Sequence, residues 1–397
     1  MAQGAEIATA MNQLNSSVTE NFSLIRGGPF HRVLAALRQT SDERHKVIAR
    51  AVGAVVICWL PLLVLSLVQG VAFGPSVKIP FLSDYVVHLR FLIALPILIL
   101  AESSIDRRWR RLAAQFVRTR LVREEEVGQF EGIVQRITRL RDNLLPEAVM
   151  LPLAFAAPLF LGHTEVLMSG ITNWHVGMAA AWFRLVSAPF FRFLLLRWIW
   201  RMCMWTLFVA RVSRLRLYLV ATHTDLAGGL GFLSDGQKAY GPIVFAGGTV
   251  IAGSVMNAIR YEGHTLSSLR TAMIAYGVMA VLVLVVPLLV VTPLLIKVKR
   301  KALWDYGGLV TEHNQLFDTK WIGGGRSRDE TILGNPDASS LVDLGGSFAV
   351  IRQMGIVPVD KPTLITLALA AALPMIPVVL LVTPSYKILH AILKMLG

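Results

Sequence analysis

The chain has 397 residues, of which 54% are hydrophobic and only 16% charged, against about 25% charged in ordinary soluble domains. This excludes a soluble globular protein and predicts an all-α integral membrane protein surrounded by the lipid bilayer. The net charge of +14 is assigned to membrane orientation and not to a nucleic-acid partner, because no basic segment is interleaved with aromatics in a base-reading pattern.

In chain order, residues 1–46 form a polar cytoplasmic segment without the short apolar core and small-residue cleavage site of a signal peptide. About seven apolar stretches of roughly 20 residues follow: Val47–Ala72, Leu82–Ala101, Leu144–Leu161, Met178–Ala210, Ile243–Ala258, Ala272–Ile296 and Thr363–Val382. They place transmembrane helices 1–2 in 47–102, a cytoplasmic helical hairpin in 103–143 and helices 3–4 in 144–210. A cytoplasmic loop occupies 211–240, helices 5–6 lie in 241–296, a cytoplasmic helical segment in 297–361, and helix 7 with an interfacial tail in 362–397. Within 297–361, Asp337 is expected to cap a short helix through Met354. The stretch Ile243–Ala258 is short and rich in glycine and alanine, so it either packs closely on a neighbour or falls short of a full span. Prolines 61, 96, 152, 158, 189, 287, 293, 374 and 377 lie inside apolar segments and predict several proline-kinked helices with backbone groups that need other partners.

The loops test the count. Residues 1–50, 103–145, 211–240 and 297–361 hold 29 of the 39 Lys and Arg residues, whereas the alternate gaps and the tail hold Lys78, Arg260, Arg270, Lys387 and Lys394. Positive charge stays inside, so the N-terminus is expected to be cytoplasmic and the C-terminus external. The two cysteines, Cys58 and Cys203, sit in apolar segments and offer no disulfide framework or zinc spacing.

Five arginines lie within spans. A cation at mid-bilayer costs from about 3 to over 10 kcal/mol, so it faces a cavity, a partner or an anion unless it snorkels to the headgroups. In the fourth span, Trp182 and Trp198/Trp200 mark two interfacial belts about 27 Å apart. That register puts Arg192 near the centre and Arg197 and Arg201 at the inner edge, where Glu102 and Glu147 are expected as ion-pair partners. Arg90, with His88, joins Arg184 and Arg192 in an outer half where no carboxylate stands at matching depth. Arg192, Arg184, Arg90 and His88 are therefore the candidate anion pathway, the alternative being structural pairing of the arginines with carbonyls freed at kinks.

The most motif-like stretch is His223-Thr224-Asp225-Leu226-Ala227-Gly228-Gly229-Leu230-Gly231-Phe232-Leu233. His223 and Asp225 are two potential metal or proton ligands, and Gly228, Gly229 and Gly231 would let backbone amides approach an anion or headgroup at a cytoplasmic mouth. Equally, Asp225 caps a re-entering helix and the glycines allow close packing. No third ligand accompanies the pair, so no metal site is expected. Nor does the chain show a phosphate-binding GxxxxGK[ST] motif, a catalytic residue set or a cofactor signature.

This stretch, the helix Leu303–Trp321 ending Phe317-Asp318-x-Lys320-Trp321, and Ser340-Leu341-Val342-Asp343-Leu344-Gly345-x-Ser347-Phe348 resemble a family of bacterial multi-spanning inner-membrane proteins with an HxDxxGGLGFL loop. The resemblance covers roughly the C-terminal two thirds. It implies a bacterial inner membrane and carries no activity or catalytic residue with it. The expected function is a homo-oligomeric channel or transporter for a small inorganic anion, not an enzyme. Two other readings are a membrane-anchored scaffold or sensor with a cytoplasmic helical layer, and an enzyme acting on a lipid phosphate.

Overall fold

A computed structural model describes residues 22–25, 27–28, 43–75, 77–161, 174, 177–325, 331–332 and 334–382, with no side-chain description for 43–44 and 157–161. The expected interfacial tail helix, Tyr386–Leu396, and the polar cluster before residue 22 lie outside the described residues. Every regular element among the described residues is helical, and none is a strand. The helices are α1 Glu43–Cys58, α2 Leu60–Val68, α3 Tyr85–His88, α4 Leu95–Arg118, α5 Val127–Asp142, α6 Leu144–Leu161, α7 Gly177–Trp182 and α8 Ala188–Val212. They continue with α9 Phe232–Lys238, α10 Gly241–Tyr261, α11 Leu266–Val285, α12 Thr292–Phe317, α13 Pro336–Gln353, α14 Lys361–Ala372 and α15 Ile376–Val382.

Among the described residues, six continuous helical stretches are long and apolar enough to cross a membrane: His45–Val68, Tyr85–Arg118, Gly177–Val212, Phe232–Tyr261, Leu266–Ile322 and Lys361–Val382. The expected third span is helical over the residues anticipated, as α6, but its described apolar stretch, Leu144–Ala156, is shorter than these. The doubtful fifth stretch is of full length, because α9 leads into α10. Its small residues serve close approach. A Cβ on Gly248 would lie 2.8 Å from the Ala371 carbonyl of α14, and one on Gly253 would lie 3.0 Å from Val86 Cα of α3.

Proline explains where the helices change type, since it removes an amide donor and pushes away the carbonyl four residues back. A π-helical turn, Leu89–Ala94, precedes Pro96, and another, Phe183–Ser187, precedes Pro189. Tight 3-10 segments contain Pro287 (Val286–Val291) and Pro374 (Leu373–Met375), and Pro61 opens α2 after the break at Trp59.

The 103–143 hairpin packs closely on the rest of the chain. Its apolar stripe, Ile105, Trp109, Phe116, Phe130 and Ile137, is buried in the main core with Trp205 and Phe208 of α8. Trp109 and Trp205 stack with ring centroids 5.6 Å apart and planes 3° from parallel. Periodicity showed the stripe but not what covers it.

The segment that does stand away is the antiparallel pair α12–α13. Gly307 faces Phe348, His313 Nε2 lies 2.9 Å from Ser340 Oγ, and Lys320 Nζ donates to Asp337 at 2.7 Å. At its base, Lys299 Nζ donates to the carbonyls of Arg352 and Met354, at 3.0 and 2.6 Å. Asn335, not Asp337, caps α13, its Oδ1 accepting from the Asp337 amide at 2.9 Å. This frees the Asp337 carboxylate to hold Lys320 and Trp321.

Candidate functional site

Arg197 and Arg201 are one turn apart on α8 and therefore share a face. That face meets Glu102 of α4 and Glu147 of α6. Arg201 Nη1 lies 2.8 Å and Arg197 Nη1 3.8 Å from Glu102 Oε1, and Arg197 Nε lies 3.5 Å from Glu147 Oε1. The side chains of Glu102, Arg197 and Arg201 are no more than 10% exposed. Rings cover the cations from the other side, with the Arg201 guanidinium 4.8 Å from the Trp198 ring and that of Arg197 6.0 Å from the Phe193 ring. The Arg201–Glu102 contact is close but oblique, and neither terminal nitrogen of Arg201 makes a directed hydrogen bond.

A cavity of about 20 Å³ adjoins these groups, lined among others by Gly27, Arg141, Glu147, Arg197, Trp200 and Arg201. It has room for one occupant the size of a water molecule. Arg141 is neutralised at its wall. Its Nε and Nη2 donate to Asp142 at 2.9 and 2.7 Å, and its Nη1 donates to the Ser23 carbonyl at 2.8 Å. Gly27 is required beside it: φ is +113°, and a Cβ would lie 2.6 Å from Arg141 Cζ. Arg50 of α1 acts electrostatically on both Glu102 and Arg197. Three arginines (50, 197, 201) and two glutamates (102, 147) thus share this region. The sequence reading missed Arg50 and Arg141. Arg50 stands near the start of the first span and Arg141 just before α6, next to the ends where Glu102 and Glu147 lie.

Arg192, Arg90 and Arg184 are placed differently, and among the described residues each stands in its own surroundings. Arg192 Nη1 donates to the carbonyl of Ala154 at 2.9 Å. Within α6 that carbonyl would accept from the amide four residues on, and residue 158 is a proline without one. The same device recurs on α7, where Trp182 Nε1 donates at 3.1 Å to the Ile57 carbonyl, freed by Pro61. Arg192 is therefore a backbone partner, in keeping with the kink alternative. We expect Arg192→Leu to lower the melting temperature of the detergent-solubilised protein, the orphaned carbonyl costing about 1–3 kcal/mol. The further change Pro158→Ala, which restores an amide, should recover part of the loss. A double variant no more stable than Arg192→Leu would contradict this account.

Arg90 is buried within the π turn, 5.8 Å from the Phe191 ring, and it acts on the carboxylate of Asp84. Asp84 feels that charge and accepts hydrogen bonds from other groups. It caps α3, accepting from the amides of Val86 and Val87, from Trp174 Nε1 at 3.0 Å and from Asn257 Nδ2 at 2.8 Å. His88 is fixed as a neutral imidazole: Trp59 Nε1 donates to its Nδ1 at 3.0 Å, so its Nε2 must donate to the Phe81 carbonyl, also at 3.0 Å. Arg184 is exposed and makes no polar contact among the described residues.

The His223–Leu233 loop is a clasp. Asp225 Oδ1 accepts from the amides of Ala227 and Gly229 at 2.9 and 3.1 Å, and Oδ2 accepts from Gly231 at 2.8 Å. His223 Nδ1 lies 2.8 Å from Asp225 Oδ1. Gly228 and Gly229 adopt positive φ, 65° and 98°, and a Cβ on Gly228 would lie 3.2 Å from Met354 Cε. The Gly355 amide donates to the Leu226 carbonyl at 2.8 Å, so the loop docks on the end of α13. The amides of Ala227, Gly229 and Gly231 thus point at Asp225 and not at an incoming anion, and Asp225 organises the loop without capping α9, whose N-cap is Gly231. No cluster of three or more His, Cys, Asp or Glu side chains suited to a metal occurs among the described residues. Comparison with protein-family models, curated proteins and solved structures finds no match to the chain.

Proposed function

We propose that the chain is a multi-pass membrane transport protein for a small inorganic anion, with the anion at the Arg197–Arg201 cluster and not at Arg192, Arg184 and Arg90. The observation that carries this reading is that the two buried terminal nitrogens of Arg201 lack hydrogen-bond acceptors beside a water-sized cavity. Leaving such donors unsatisfied is costly, and a dehydrated monovalent anion beside Arg201 would accept from them. The topology belongs to the same proposal: a bacterial inner membrane, a cytoplasmic N-terminus and an external C-terminus. The segregation of 29 Lys and Arg residues onto alternate gaps requires α6 to cross as a seventh span. The exposed apolar side chains of the α12–α13 pair, Trp304 at 81%, Ile322 at 76% and Val342 at 72%, fit contact between copies in a homo-oligomer. They also favour the scaffold reading, in which the same pair receives a different protein.

Chloride, nitrate and phosphate flux into liposomes containing the purified protein tests the proposal. Arg201→Gln, and the charge-balanced pair Arg201→Gln with Glu102→Gln, both remove the donors at the cavity and should lower the flux at least roughly tenfold. Absence of flux in the parent, or flux unchanged in the balanced pair, overturns it.

A further inference from the structure

A second cavity, of about 450 Å³, lies between α6 and α8 and is lined by Leu144, Leu151 and Phe155 on one side and Leu185, Pro189 and Phe193 on the other. Its size falls within the roughly 300–1,000 Å³ of small-molecule sites. The sequence builds it in two ways. On α6, residues 144, 148, 151 and 155 repeat at helical spacing along about 16 Å of one face. On the other wall, the π turn Phe183–Ser187 and Pro189 widen the helix where Leu185 and Val186 line the groove. Leu144, Leu151 and Leu185 remain 62%, 52% and 65% exposed, so no described part of the chain fills it.

Charge marks one end. The groove begins at the first turn of α6, where the Leu145 amide already donates to Asn143 Oδ1 at 3.0 Å and Pro146 has no amide to donate, so the charge at this end comes from the neighbouring arginines. The last two turns of α5, immediately before α6, expose Arg136 and Arg139. Glu147 lies on the rim but is held by Arg197. An apolar slot that opens beside exposed arginines complements an amphiphile with one chain in the slot and a negative headgroup at the mouth.

We infer that this groove binds one anionic glycerophospholipid, from the leaflet on the Arg139 side, with an acyl chain between α6 and α8 and the phosphate beside Arg136 and Arg139. The inference requires α6 to lie in the membrane and is independent of anion transport at Arg201. Delipidated protein in detergent, titrated with palmitoyl-oleoyl phosphatidylglycerol or phosphatidylcholine and weighed by native mass spectrometry, tests it. The expected result is one phosphatidylglycerol retained per chain, roughly tenfold more readily than phosphatidylcholine. Leu151→Trp and Leu185→Trp, both at exposed positions, should fill the slot and abolish retention, and Arg139→Gln should reduce the preference about fivefold. Equal retention of the two lipids, or retention of phosphatidylglycerol unchanged in a folded Leu151→Trp or Leu185→Trp variant, overturns the assignment.

Discussion

Replacing Glu102 with alanine is expected to lower the unfolding free energy by about 3–5 kcal/mol, the cost of leaving a buried cation without its partner. The carboxylate sits among Arg201, Arg197 and Arg50 with water largely excluded, so hydration cannot replace it. The balanced pair Glu102→Gln with Arg201→Gln removes both charges and should cost much less, because paired buried ions recover little more than their own desolvation. Denaturant unfolding in detergent of the parent, the two single variants and the pair gives the coupling directly. Additive single effects would show that the two side chains do not share one electrostatic environment. The same pair separates stability from transport, since it retains the fold while removing the Arg201 donors at the cavity.

Asp225→Ala is the second large effect. Three amides, those of Ala227, Gly229 and Gly231, lose a charged acceptor at once, and two of the intervening glycines hold positive φ for that geometry. Hydrogen bonds to charged groups contribute about 1.5–3 kcal/mol each where water does not replace them. For this part-buried loop we expect a total loss of about 2–4 kcal/mol, with protease cleavage appearing between residues 221 and 231. Asp225→Asn should fall between parent and alanine, because its amide oxygen still serves Ala227 and Gly229 while its NH2 group faces the Gly231 amide. His223→Ala, at a half-exposed side chain, should change stability by under about 0.5 kcal/mol. A larger effect of His223→Ala than of Asp225→Ala would show that the clasp is not organised by the carboxylate.

The sequence revealed different parts of this arrangement to different degrees. The meeting of Arg197 and Arg201 with Glu102 and Glu147 was legible because all four lie near the same ends of their spans and because i, i+4 spacing sets the two arginines on one face. Arg192 was harder. Its partner is a backbone carbonyl, and identifying that carbonyl needs the register of α6 against α8 as well as the position of Pro158. The surroundings of Arg90 were obscured for a related reason: Asp84 is only six residues before Arg90, but its environment depends on Asn257 and Trp174, which only the fold brings near. What covers the 103–143 hairpin was not legible, because an amphipathic stripe states that something must cover it without stating what. The HxDxxGGLG motif presented two readings with the same residues, and only the direction of the amide groups separates them.

One length has a mechanical consequence. From Leu266 to Ile322 the backbone is a single helical rod of 57 residues, about 85 Å at 1.5 Å per residue and nearly three times a hydrocarbon core. Its ladder changes pitch midway, at the 3-10 stretch Val286–Val291, close below the point where Lys299 ties the rod to the end of α13. The part of the rod beyond that stretch, from Thr292 to Ile322, is about 46 Å long, so a sideways load at Ile322 acts with a long arm on the turn that carries Pro287.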